Sequence, residues 1–125
     1  MNRTILIVED NDRNRELVKD VLAIHGYATL EAENGLEGVR MAKELRPDLI
    51  IMDIQMPVMD GLTAAKILSN DPETKGIPMI ALTSFAMKGD KERFMAAGFV
   101  DYIAKPIDTR TLPELVKKYV MSVSK

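Results

Sequence analysis

Two segments, Ile5-Leu6-Ile7-Val8 and Leu49-Ile50-Ile51-Met52, are uninterrupted runs of apolar, largely β-branched side chains. Such runs are far too short to cross a membrane. A strand with one wet face would alternate apolar and polar residues; these do not, so both of their faces must be covered. Pro78 to Leu82 reads as a further strand. Strands buried on both faces belong to parallel sheets held between two layers of helices, and this narrows the chain to the α/β class.

The intervening sequence agrees. Residues 12–25 carry Leu17, Val18, Val21, Leu22 and Ile24 at helical spacing, and Gly26 ends the stretch. Tyr27 to Ala32 is a weaker strand, as at a sheet edge. Leu36, Val39, Ala42 and Leu45 form a second helical stripe, stopped by Pro47. Residues 61–69 predict a short helix with Leu62, Ala65 and Leu68 inward, followed by a turn-rich loop at Asn70-Asp71-Pro72 and Gly76. Residues 90–97 predict a helix closed by Gly98, and Tyr102 to Ala104 the fifth strand. A last helix over 108–122 buries Leu112, Leu115, Val116, Tyr119 and Val123. Its Pro113 falls in the first turn or so, where a missing amide donor is tolerated. Five strands alternating with five helices predict a doubly wound parallel sheet filling one domain of 125 residues.

Composition excludes several classes of function. A hydrophobic share of 46% with 29% charged residues is that of an ordinary soluble globular chain. The net charge of -2 offers no general attraction to nucleic acid or an anionic membrane. The first apolar run is too short for a signal peptide, so a cytoplasmic protein is expected. The absence of cysteine removes disulfides and thiolate metal sites.

In open α/β sheets, sites form at the carboxyl ends of strands where the strand order reverses. Here those ends read Glu9-Asp10, Asp53, Thr83-Ser84 and Lys105-Pro106. With strand order 2-1-3-4-5 the first and third strands adjoin at the switch point. Glu9, Asp10 and Asp53 then converge, flanked by Thr83 and Lys105. Three ionised carboxylates repel, each pair by roughly 3 kcal/mol at about 5 Å and an effective dielectric of about 20. Either their pKa values rise or a cation binds. Oxygen ligands with no His or Cys beside them suit Mg2+, Mn2+ or Ca2+ rather than zinc. Acids, a divalent ion, the Lys105 ammonium and the Thr83 hydroxyl are the parts that hold a phosphoryl group. With no Cys and no triad serine candidate, a carboxylate is the available nucleophile and an aspartyl phosphate its product.

Each of these residues also has a plainer reading. Glu9-Asp10-Asn11-Asp12 alone can be a helix N-cap cluster, and Asp12 is the expected cap. Asp60-Gly61 reads as helix-start and turn chemistry. His25, the only histidine, precedes the Gly26 stop and reads as a C-terminal capping residue. The methionines are mostly gap-fillers.

The segments ILIVEDN, PDLIIMDIQMPVMDG, IPMIALTSFA and AAGFVDYIAKPI, with the loops between them, resemble the receiver domain of two-component signalling over essentially the whole chain. TSFAMKGDKERF beside VEDNDRN is similar to the single-domain, CheY-like regulators of the DivK type. The resemblance implies a (βα)5 flavodoxin-like fold and assigns roles. Asp53 accepts a phosphoryl group from a histidine kinase or phosphotransfer protein. Asp10 and Asp53 bind Mg2+, Gln55 through its backbone carbonyl and Glu9 through water. Thr83 and Lys105 bind the phosphoryl oxygens, and Tyr102 is a switch aromatic, unless its ring is static. The Lys105-Pro106 bond is expected to be cis. Output is expected through protein contacts on the face of the fourth helix, fifth strand and fifth helix, with Met87, Lys88, Lys91 and Tyr102 as candidates. A monomer or weak dimer is expected, with no nucleic acid partner. Phe85 and Gln55 flank the phosphate, and an apolar Phe85 is expected to hinder attacking water.

Three rivals are weaker. A phosphatase of the haloacid dehalogenase type wants a second acid two residues after its nucleophile, where this chain has Gln55. A flavodoxin-like cofactor binder wants amide donors after the first strand, where this chain has Glu9, Asp10 and Asp12. A degenerate receiver used only for docking has no need of the full acid, hydroxyl and lysine set. Met1 just before the first strand favours a natural whole over a module cut from a hybrid kinase.

Overall fold

A computed structural model describes residues 3–84 and 89–122. Phe85, Met87, Lys88 and Val123 lie outside the described residues. Five strands, β1 (Thr4–Val8), β2 (Ala28–Ala32), β3 (Leu49–Asp53), β4 (Met79–Thr83) and β5 (Asp101–Ala104), form one parallel sheet in the order β2-β1-β3-β4-β5. The helices are α1 (Asp12–Ile24), α2 (Gly35–Leu45), α3 (Gly61–Asn70), α4 (Asp90–Ala97) and α5 (Thr111–Ser122).

Side chains alternate across the sheet and build two cores. Ile5, Ile7, Leu49, Ile51, Ile80, Leu82 and Ile103 face one side, under Val18, Val21 and Leu22 of α1 and Leu112, Val116 and Val120 of α5. Leu6, Val8, Ile50, Met52 and Ala81 face the other, under α2, α3 and α4. β1 from Ile5 to Val8 and β3 from Leu49 to Met52 are apolar throughout because both faces are dry. The ladders pair Val8 with Met52, Asp53 with Leu82 and Thr83 with Ala104, which brings the polar strand ends to one edge of the sheet.

Several local expectations are corrected. Asn11, not Asp12, caps α1: its Oδ1 accepts from the Asn14 amide at 3.0 Å, and Asp12 becomes the first helical residue. Both residue types cap well, so the sequence alone does not separate neighbours. Only the middle of the α2 stripe is inward: Ala42 is buried and Val39 packs on the core, but Leu36 and Leu45 are exposed, and Gly35 and Gly38 are buried instead. The reason is proximity, since a Cβ on Gly38 would stand 2.9 Å from Val8 Cγ2. Ile24 is 82% exposed at the end of α1. α5 begins at Thr111 rather than 108, because Asp108 Oδ1 accepts from the Arg110 amide and holds a turn there. His25 does close α1, with Nδ1 3.0 Å from the Val21 carbonyl. Asp60 caps α3, its Oδ1 accepting from the Thr63 amide at 2.8 Å.

Candidate functional site

β3 delivers Asp53 to the middle of the sheet's carboxyl edge, almost fully buried. By strand alternation Glu9, Asp53 and Lys105 continue the rows of Ile7, Ile51 and Ile103, on the α1/α5 side. Glu9 has no exposed surface at all. The Lys105 ammonium lies between the two acids, donating to Glu9 Oε1 at 3.0 Å and to Asp53 Oδ2 at 2.9 Å. The Lys105-Pro106 peptide is cis.

One lysine does not balance the acids. Glu9, Asp10 and Asp53 each present a ligand oxygen, all within 4.8 Å of one another. Among the described residues Glu9 Oε2 has no hydrogen-bond partner, a buried polar atom left without an answer. Burial, and then the neighbouring Asp53, push the Glu9 carboxyl up to about 7, although Lys105 pulls the other way. Burial alone would lower the Lys105 ammonium, but its hydrogen bonds to Asp53 and Glu9 outweigh that and raise it. An all-oxygen, net-negative donor set with an orphaned carboxylate oxygen fits a hard divalent cation.

The remaining groups close the cleft. Asp10 is exposed at its mouth; Thr83, at the end of β4, is 1% exposed on the wall. Gln55 lies on the rim, its amide donating to Asp53 Oδ1 at 3.3 Å. Behind Asp53 the chain is tight. The Gly61 amide bonds the Ile54 carbonyl at 2.8 Å, and a Cβ on Gly61 would stand 2.2 Å from the Asp53 carbonyl oxygen. The loop before it carries Val58 at φ 69, with the Met59 amide on the Pro57 carbonyl at 2.7 Å, a γ-turn of the positive-φ kind.

Asp10, Asp53, Gln55, Thr83 and Lys105 thus line one cleft, with Glu9 beneath it. Tyr102 is not among them: it is half-buried on the opposite side of the sheet, its ring 6.2 Å from Phe94 at 58°. Three residues escaped the reading of the sequence. Asn11 and Asn14 also line the cleft, one helical turn apart. Arg15 lies against it from outside, donating to the Glu9 main-chain carbonyl at 2.8 Å. The available signal was their place in the first turn after an acidic strand end.

A doubly wound parallel sheet whose switch-point cleft holds three carboxylates, a lysine and a buried threonine defines a receiver-like α/β domain. The chain belongs to the response regulator receiver domain family, which its residues 5–117 match. It is 47% identical over 120 residues to the polar-differentiation response regulator DivK of Brucella anthropi, covering 96% of this chain and 98% of that one. Among solved structures it resembles the receiver domain of the sensor histidine kinase PA1611 from Pseudomonas aeruginosa, with a TM-score of 0.88 and 34% identity over 96% of this chain and 98% of that one. That structure has a magnesium ion coordinated in its active-site cleft. It also resembles the chemotaxis response regulator CheY4 of Vibrio cholerae, with a TM-score of 0.90 and 28% identity over 95% of this chain and 99% of that one. No helix among the described residues is long and apolar enough to cross a membrane.

Proposed function

We propose that the chain is a single receiver domain, a cytoplasmic response regulator that accepts a phosphoryl group on Asp53 in the presence of Mg2+ and signals through protein contacts. The observation that carries this reading is the Lys105 ammonium held between Glu9 and Asp53, beside an acidic cluster whose oxygens lie within 4.8 Å.

Asp53 is the nucleophile because it alone of the three acids stands at the centre of the cleft with one oxygen on a cation and the other on a backbone amide. A carboxylate oxygen attacks the phosphorus of a phosphohistidine, the P–N bond breaks as the P–O bond forms, and the imidazole leaves with its electron pair and takes a proton. Asp10, Asp53, Glu9 and the Gln55 carbonyl would hold Mg2+, which supplies charge neutralisation for the incoming phosphoryl oxygens. Lys105 is already desolvated and placed to follow one of those oxygens, and Thr83 offers a hydroxyl to another. The added charge of about -1.5 to -2 is what draws Thr83 and, on the same side of the sheet, Tyr102. The partners are a histidine kinase or phosphotransfer protein, and an output protein on the α4-β5-α5 face. A cleft of about 270 Å3 suits a phosphoryl group and an ion and lies below the usual range for organic cofactors, against the flavodoxin-like alternative.

The test is incubation with acetyl phosphate and Mg2+, read by intact mass. A single phosphoryl increment is expected, lost in Asp53→Asn and kept in Asp60→Asn. Labelling that survives in Asp53→Asn overturns the assignment.

A further inference from the structure

Asp10 is exposed and its carboxylate has no hydrogen bond among the described residues, so nothing holds it in place except the backbone that carries it. That backbone is short of support. The last ladder bond of β1 is the Glu9 amide to the Ala32 carbonyl at 3.0 Å, and α1 starts at Asp12. The Glu9–Asp10 and Asn11–Asp12 peptides flank Asp10 in the gap between strand and helix. Their two carbonyls, Glu9 O and Asn11 O, are both taken by one residue. Arg15 closes the first helical bond with its main-chain amide on Asn11 O at 3.0 Å, and its guanidinium returns to Glu9 O at 2.8 Å.

The guanidinium is itself fixed. It donates to Asp12 at 2.6 Å and to Glu31, at the end of β2, at 3.3 Å, and its side chain is only 14% exposed. A staple between α1 and β2 needs only the bond to Glu31. The third bond, to a carbonyl one residue before the exposed acid, serves the cleft. We infer that Arg15 is a positioning residue for metal binding: it clamps the peptide that aims Asp10 at the cation site, acting through the backbone and touching neither metal nor phosphate. This inference rests on the reading of the cleft as a Mg2+-dependent phosphoacceptor site.

Electrostatics and positioning predict opposite signs here, which makes the proposal decidable. Removing a positive charge beside a cation site by itself tightens cation binding. Removing a clamp on a ligand loosens it, typically by about tenfold or more for groups that orient metal ligands. Arg15→Met keeps the apolar stem and removes the fork; Arg15→Lys keeps the charge but cannot span three acceptors in a plane. Mg2+ affinity is measured by calorimetry on the full chain, and acetyl phosphate labelling is followed against Mg2+ concentration.

The expected result for Arg15→Met is a Mg2+ Kd raised about tenfold. Its labelling half-saturates at correspondingly higher Mg2+ and regains the wild-type rate at saturation. Arg15→Lys is expected to be weakened in the same direction. Wild-type or tighter Mg2+ binding by Arg15→Met overturns the inference, and if that variant does not fold, Arg15→Lys decides on the same criterion. Failure of the wild type itself to bind Mg2+ overturns instead the reading on which the inference rests.

Discussion

Replacing Glu9 by glutamine isolates the charge imbalance of the cleft as a stability. Glu9 is fully buried, among the described residues only its Oε1 is paired, and its carboxyl is raised from the ordinary 4.5 to about 7, first by burial and then by Asp53. A raised carboxyl means that the folded chain binds a proton which the unfolded chain has lost. Stability is therefore fully present below the unfolded value of 4.5 and falls as pH rises, the loss being complete once pH passes the folded value of about 7. A rise from 4.5 to about 7 is 2.5 units, which at about 1.36 kcal/mol per unit amounts to about 3 kcal/mol. Glu9→Gln removes that titration, keeps a carbonyl oxygen for Lys105 and turns the orphaned Oε2 into an amide able to donate to Asp53. Urea denaturation in EDTA, for both proteins between about pH 4 and pH 8, is the assay. Groups outside the Glu9, Asp53 and Lys105 cluster titrate alike in the two and cancel in the difference. The stability of the variant minus that of the wild type is expected to rise by about 3 kcal/mol across this range. On the proposed function Mg2+ answers the same charge, so its stabilising effect near pH 8 is expected to shrink in the variant. A difference that stays flat with pH refutes the argument that burial of an unanswered carboxylate sets the charge state of the cleft.

Two further outcomes follow from the backbone around Asp53. Gly61→Ala places a Cβ against the Asp53 carbonyl, where backbone rather than a flexible side chain must give way; a loss of about 2 kcal/mol or more in denaturant unfolding and slowed labelling by acetyl phosphate are expected. Val58 is 75% exposed at φ 69, a conformation costly for a β-branched side chain, so Val58→Gly is expected to raise stability by about 1 kcal/mol after glycine's own entropy cost, seen as a higher denaturant midpoint.

The architecture was legible because burial on both faces leaves an unmistakable trace in Ile5–Val8 and Leu49–Met52, and the strand ends followed from it. Lys105 and the acids were legible for the same reason, as polar groups placed where apolar strands stop. What was not legible depends on how closely elements approach or on partners distant in the chain. α2 buries Gly35, Gly38 and Ala42 in preference to Leu36 and Leu45, and hydrophobicity cannot announce that a helix lies too near Val8 for larger residues. Arg15 looks like one charge of a solvated helix, because its partner Glu31 is 16 residues away on β2 and its acceptor on Glu9 is a carbonyl that no side-chain pattern reveals. The choice of Asn11 over Asp12 as cap was decided by one bond to Asn14.

The ladder register has a consequence for how such a chain can change in length. Each functional group is set at a whole number of residues from paired positions, Glu9 beyond Val8↔Met52, Asp53 opposite Leu82, and Lys105 beyond Thr83↔Ala104. A strand advances about 3.3 Å per residue and reverses face each time. One codon gained or lost within β1, β3 or β5 therefore does not nudge an acid or the lysine; it carries the group to the other side of the sheet. The connecting loops bear no such count, so insertions and deletions that a lineage of this protein survives belong in them, and a sequence alignment that opens a gap inside those strands is misplaced.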